Sequence, residues 1–505
     1  CTRKRRGKAV LDGVRKMYID GEWVLSSTGQ TYTVQNPATG KPLAVVAKGS
    51  REDVRAAVAA AKRAFYEDGW QNSSASDRAA MLLRFADEME ARIEELARVE
   101  TMNNGKSLLE SKCDVQDSAA CVRYYAGLCT KPSGQTYAMP DPNVQAMTVR
   151  EPIGVVGLIV AWNFPISLAI WKLAPALAAG NTVVLKPASA TPLSAVLMVE
   201  MLAHAGFPKG VVNLVLGSGS DVGDELARNP DVEKVAFTGS IEAGRSVMCA
   251  ASENMKGICL ELGGKSPVVI FDDADFETAV DYAAFGIFYN QGEVCSAGSR
   301  VLVQDTIYDR FVEALLAETK KIRLGNGLDE GVTMGPLVTK AHMETVLHYI
   351  EIGKQEGATL LCGGRRATEG NLSDGYFVEP TIFGDCTPEM TIVKEEIFGP
   401  VLCLQKFSTE QEAVALANDT TYDLAAGVFT NDGAKALRVI RKLRAGITWI
   451  NEFSPVYNEA PWGGYKQSGI GRELGTYGFD EFTEVKQINI RLNPAPTHWF
   501  SGETL

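Results

Sequence analysis

A glutamate, Glu261, opens the run Glu261-Leu262-Gly263-Gly264-Lys265-Ser266-Pro267, and a cysteine, Cys295, closes Asn290-Gln291-Gly292-Glu293-Val294-Cys295 thirty-four residues later. A thiolate attacks electron-poor carbon, and a carboxylate beside it can activate the water that later releases an acyl group. Cys295 is flanked by Gly292, Ser296, Ala297 and Gly298, small enough for a substrate to reach a thiol. The pair therefore reads as machinery for attack on a carbonyl. A cysteine taken alone is more often an inert core residue, because burial raises the thiol pKa. Glu261 alone would read as a structural acid paired with Lys265, and Glu293 as a solvated loop acid.

Three further motifs change that weighting: Trp162-Asn163-Phe164-Pro165, Phe237-Thr238-Gly239-Ser240 and Lys394-Glu395-Glu396-Ile397-Phe398-Gly399-Pro400. With the first two runs they resemble, in order, the NAD(P)-dependent aldehyde dehydrogenase superfamily, from about Tyr18 to about Asn489. The resemblance implies that Cys295 forms a thiohemiacetal with an aldehyde. The Asn163 amide and the Cys295 backbone N–H would stabilise its oxyanion. Glu261 would then assist hydrolysis of the thioester left after hydride transfer. Relatives that pass the acyl group to coenzyme A generally lack the glutamate matched by Glu261, so hydrolysis is expected.

The cofactor expected is NAD or NADP. Gly217-Ser218-Gly219-Ser220-Asp221-Val222-Gly223 places its third glycine one position late for a dinucleotide fingerprint and reads as a turn entering a helix. Gly239-Ser240, between a strand and the helix Ile241–Ala251, is the better phosphate site, since a helix N-terminus presents free N–H groups. The resemblance places pyrophosphate near Ser240 and Trp162, the adenosine ribose near Lys186, and the nicotinamide half beside Glu396 and Phe398. Ser189 stands where many NAD-preferring relatives carry glutamate, which removes a charge that would repel a 2′-phosphate.

Phe164, Trp171, Tyr289, Tyr457 and Trp462 resemble the aromatic box of betaine aldehyde and ω-aminoaldehyde dehydrogenases, whose ring faces attract an ammonium. Glu452 or Glu459 could add negative charge. The same rings would suit a neutral aldehyde, so a semialdehyde or aliphatic aldehyde dehydrogenase is the rival reading, and a noncatalytic member of the fold the non-enzymatic one.

Composition narrows the setting. With 505 residues, 46% apolar and 22% charged, the chain reads as a soluble globular protein of two or three domains. A formal charge of −12 disfavours nucleic acid as a partner. The apolar runs are too short for a bilayer. Ten scattered cysteines without Cys-x-x-Cys suit a reducing compartment, cytoplasm or organelle matrix. Among four histidines, His342 and His348 are spaced wrongly for joint ligation on a helix face, so no catalytic metal is expected.

The fold expected is α/β. Residues 1–17, rich in Lys and Arg, read as a disordered extension. Residues 18–133 and 151–260 form a doubly wound, parallel-sheet dinucleotide-binding domain, with a helical region from Arg51 to Asn104 and strands at Val155–Val160, Thr182–Leu185, Val211–Leu216, Lys234–Phe237 and Gly257–Leu260. Residues 261–475 form a second α/β domain with helices at Phe276–Phe288, Ile307–Lys321, Lys340–Gly357 and Gln411–Asn418. By resemblance, residues 134–150 and 482–492 bridge subunits of a homodimer or homotetramer, leaving 476–481 as connector and 493–505 as tail.

Overall fold

The structure, a computed structural model, describes residues 13–501. An eight-stranded sheet runs in the order Gly469–Ile470, Gly257–Glu261, Lys234–Thr238, Val155–Ile159, Thr182–Lys186, Val212–Leu214, Met17–Ile19, Glu22–Val24. The five strands from Gly257–Glu261 to Val212–Leu214 are mutually parallel. Val155–Ile159, Thr182–Lys186 and Lys234–Thr238 are buried throughout, as strands covered by helices on both faces must be. The neighbouring helix Pro165–Ala179 is apolar but for Ser167 and Lys172, and almost wholly buried. It starts on a proline, whose missing N–H costs nothing there, and stops at Gly180 with φ 98°.

A second, seven-stranded sheet has the order Thr359–Cys362, Thr381–Gly384, Val401–Phe407, Arg300–Gln304, Pro267–Ile270, Ala425–Phe429, Ile447–Ile450, parallel but for its first strand. Strand Thr483–Arg491 pairs along its whole length with Val144–Pro152, and Thr136–Tyr137 completes a separate three-stranded sheet.

Several boundaries differ from expectation. The expected extension includes residues 1–12, which lie outside the described residues, but Val14–Arg15 pairs with Val45–Val46 and Met17 begins a buried strand. The Arg51–Asn104 region is three helices, Arg51–Tyr66, Ala75–Ala91 and Ile93–Asn104, and a further helix, Leu108–Leu128, follows that the sequence reading did not register. Gly469–Ile470, expected in the second domain, closes the edge of the first sheet against Leu260 and Glu261. That crossing carries the second domain's chain to the expected base.

Candidate active site

Five of the expected residues follow from one rule: in an open parallel sheet, functional groups gather at the carboxyl ends of the strands. Lys186 and Glu261 end their strands, Asn163 follows Val155–Ile159, and Gly239-Ser240 follows Lys234–Thr238. Thr238 is in register with Glu261, and the Gly239 N–H donates to the Glu261 carbonyl at 3.1 Å. Ser240 caps helix Ile241–Ala251, its hydroxyl accepting from the Ala243 N–H at 3.2 Å.

Cys295 reaches the same place from the second domain. A Cβ added to Gly264 would lie 2.5 Å from the Cys295 carbonyl oxygen, so the Glu261 run and the thiol loop touch backbone to backbone. Asn163, 2% exposed, donates from Nδ2 to the Glu293 carbonyl at 3.1 Å, two residues before the thiol. That uses one of its two N–H bonds. Burial, then the nearby carboxylates of Glu261 and Glu396, push the Cys295 thiol up to about 12. The resting group is therefore a thiol, and a base must take its proton before it can attack.

Glu261 is 4% exposed, and neither carboxylate oxygen has a hydrogen-bond partner. Burial, then the charge of Glu473, holds its pKa well above the usual carboxylate range, while Lys172 and Arg472 act in the opposite direction. Lys172 Nζ lies 2.5 Å from Glu473 and donates to the Thr238 hydroxyl at 2.6 Å. Lys265, the alternative partner suggested by sequence, makes no hydrogen bond from its buried Nζ. An unpartnered carboxylate with a raised pKa binds a proton strongly once it has ionised, which is the property a general base needs.

Glu293 corrects the reading of a solvated acid. It is wholly buried, accepting from the Val338 N–H at 2.9 Å and from Gln291 Nε2 at 3.0 Å, and burial lifts it to about 8.

The residues expected to hold a dinucleotide fit an anionic, ring-bearing guest. Lys186 is 4% exposed, has no carboxylate partner, and donates only to the Pro187 carbonyl at 3.0 Å; burial lowers its pKa to about 8. An ammonium buried that way is completed by a ligand anion or hydroxyl. Ser189 donates to the Gly217 carbonyl at 2.7 Å. Glu396 accepts from the Gly264 N–H at 3.0 Å, and a Cβ on Gly263 would strike its carboxylate. Trp162 stands edge-on to Phe398 at 5.1 Å, and His342 Nε2 donates to the Phe398 carbonyl at 2.7 Å.

A cavity of about 730 Å³ opens onto Cys295, lined among others by Phe164, Trp171, Tyr289 and Trp462. Trp171 and Trp462 pack at 5.5 Å between ring centroids, and Phe164 stacks on Tyr289 at 6.2 Å. One expectation is corrected. Tyr457 does not line the cavity; it is 52% exposed and donates to Glu452 at the surface. Phe164 already carries the Lys106 ammonium 3.9 Å from its centroid. Helix Leu108–Leu128 adds Glu110, Asp114 and Asp117 to the lining, one face of a helix at 3.6-residue spacing. Asp114 is paired with Lys106 at 2.6 Å, whereas Asp117 has no cationic partner among the described residues.

A family model described as the aldehyde dehydrogenase family matches residues 23–488. This chain belongs to the aldehyde dehydrogenase family. It is 48% identical over 486 residues to a betaine aldehyde dehydrogenase of Bacillus subtilis, covering 96% of this chain and 99% of that protein. An aldehyde dehydrogenase of Emericella nidulans is 44% identical, with 95% of each chain covered. Among solved structures, a Staphylococcus aureus betaine aldehyde dehydrogenase in complex with NAD+ superposes with a TM-score of 0.95 at 46% identity over 96% of each chain.

Within this aldehyde dehydrogenase, sequence reading missed Lys172, Glu473, Lys106 and Asp117. For Asp117 a signal existed: Glu110, Asp114 and Asp117 repeat at helical spacing. Lys172 and Glu473 lie 301 residues apart, and only the closed fold joins them.

Proposed function

We propose that this aldehyde dehydrogenase oxidises betaine aldehyde, or a related aldehyde bearing an ammonium group, to its acid. The cavity lining carries the proposal: aromatic faces at Trp171 and Trp462 share the cavity with Asp117, which has no cationic partner among the described residues, and attract a cation more than a neutral guest. The B. subtilis and S. aureus relatives named for betaine aldehyde support it.

Cys295 Sγ gives its proton to ionised Glu261, a carboxylate whose charge acts on the thiol, and bonds to the aldehyde carbon. The oxyanion accepts from the second Nδ2 N–H of Asn163 and from the Cys295 backbone N–H. When bound, NAD or NADP supplies an oxidised nicotinamide as acceptor for the hydride leaving that carbon, held by Trp162, Lys186, Gly239, Ser240, Glu396 and Phe398. Glu261 passes that first proton to solvent and then takes a proton from water, the water oxygen bonds to the thioester carbon, and the Cys295–carbon bond breaks to release the acid and the Cys295 thiolate. Ser189 presents no carboxylate to a 2′-phosphate, so NADP is accepted. A several-hundredfold rate preference for NAD would refute that point.

The exposed outer edge of Thr483–Arg491, with Val485 61% and Ile490 40% exposed, leaves backbone donors and acceptors for a second copy. The working unit is then a dimer or tetramer, which sedimentation would measure. No helix among the described residues is long and apolar enough to cross a membrane.

The substrate test compares betaine aldehyde with 3,3-dimethylbutanal, which has carbon where betaine aldehyde has the cationic nitrogen. At about 0.5–2 kcal/mol for each of two ring faces, kcat/KM should favour the cation by about fivefold or more. A ratio within about threefold removes the cation preference.

A further inference from the structure

We infer that Asn290 is a positioning residue that sets the oxyanion donor against the nucleophile, an inference that rests on the roles given above to Asn163 and Cys295. Asn290 is wholly buried and stands in the left-handed region at φ 47°, followed by Gln291 at φ 46°. Two successive side-chain-bearing residues adopt that backbone only where their surroundings hold them there.

The holding contacts are specific. The Asn290 N–H donates to Glu110 Oε1 at 2.8 Å, its carbonyl accepts from the Glu293 N–H at 2.9 Å, and its Oδ1 accepts from Gln291 Nε2 at 3.1 Å. Its Nδ2 donates twice, to the Asn163 carbonyl at 3.0 Å and to the Glu293 carbonyl at 3.1 Å. Every polar group of the residue is engaged.

Those last two bonds decide the role. Asn163 Nδ2 donates to the same Glu293 carbonyl, so one oxygen, two residues ahead of Cys295, anchors both asparagine amides. The Asn290 amide thus ties together the two segments that supply the two oxyanion donors. Asn104 Nδ2, 3.3 Å from the Asn163 carbonyl, braces the same loop from the helix Ile93–Asn104. Without the Asn290 amide, the loop keeps the Asn104 bonds to the Trp162 carbonyl at 2.9 Å and the Asn163 carbonyl at 3.3 Å, and the Asn163–Glu293 bond alone ties it to the thiol segment. An error of about 1 Å in donor placement is enough to cost about 10²-fold in rate.

Asn290→Gly retains the left-handed backbone and deletes the amide, and Asn290→Ser keeps one donor should the glycine variant not fold. Rates are normalised to the Cys295 thiol titrated in folded protein. Kcat of Asn290→Gly should fall by about 10–10²-fold while KM for the dinucleotide stays within about twofold, a split that mere loss of stability does not produce. In an Asn163→Ala background the Asn290 change should add almost nothing, because it acts through that donor. Normalised kcat within about twofold of wild type, or losses that multiply in the double variant, would overturn the inference. Unchanged kcat in Asn163→Ala alone would instead sink the oxyanion reading on which it rests.

Discussion

Gly264→Ala probes the contact that joins the two halves of the site. The new Cβ would lie 2.5 Å from the Cys295 carbonyl oxygen and 3.1 Å from Leu424 Cβ, about 0.9 Å short of ordinary contact with the first. The opposing atom is backbone and cannot swing aside as a side-chain tip would. Gly264 does not occupy the left-handed region, so alanine brings no conformational penalty of its own and the effect is purely steric. The Cys295 loop must give way by most of an ångström, and displacement on that scale costs about 10²-fold when reacting atoms must sit near 3 Å. The assay is the rate of the first turnover of reduced cofactor, per titrated Cys295, with Gly433→Ala as control because nothing lies within 4 Å of a Cβ there. A first-turnover rate within about threefold of wild type would refute the reasoning.

Gly263→Ala pushes on the Glu396 carboxylate, the far end of a flexible side chain, so KM for the dinucleotide should rise several-fold with a smaller change in kcat; an unchanged KM counts against Glu396 as a cofactor contact. Glu261 retains its proton well above the usual range because of burial and then Glu473, so turnover should rise with pH as that proton is lost. Glu473→Gln removes the like charge and should move the acid limb of the kcat profile to lower pH; a shift in the other direction contradicts the coupling. Burial raises Glu100 to about 7, so folding is weakened as pH climbs from the unfolded value of 4.5 through 7, by about 3 kcal/mol in all. Glu100→Gln keeps an acceptor for the Ile166 N–H and should flatten that slope in urea unfolding at pH 5 and 8; an identical slope rules out this source.

Much of the architecture was legible because local patterns were strong. Helices Ile241–Ala251 and Phe276–Phe288 occur with the expected bounds, and the five expected strands of the first sheet occur within two residues at each end. Helix Leu108–Leu128 escaped because its apolar residues face several neighbours while Glu110, Asp114 and Asp117 turn into the cavity, which blurs the contrast between a wet and a dry face. The motif residues around the thiol could be named from their order along the chain. Their settings could not: that Glu293 is buried, that Lys106 sits on Phe164, and that Tyr457 points to solvent each depend on contacts between distant segments.

The central claim is that Cys295 carries the acyl group and Glu261 releases it. Glu261→Gln, mixed with betaine aldehyde and NAD and quenched in acid, allows peptide mass spectrometry to locate that group. The account predicts a stoichiometric burst of reduced cofactor, slow turnover afterwards, and an acyl adduct on the peptide containing Cys295. Turnover at the wild-type rate with no adduct, or an adduct on any of the nine other cysteines, would contradict it.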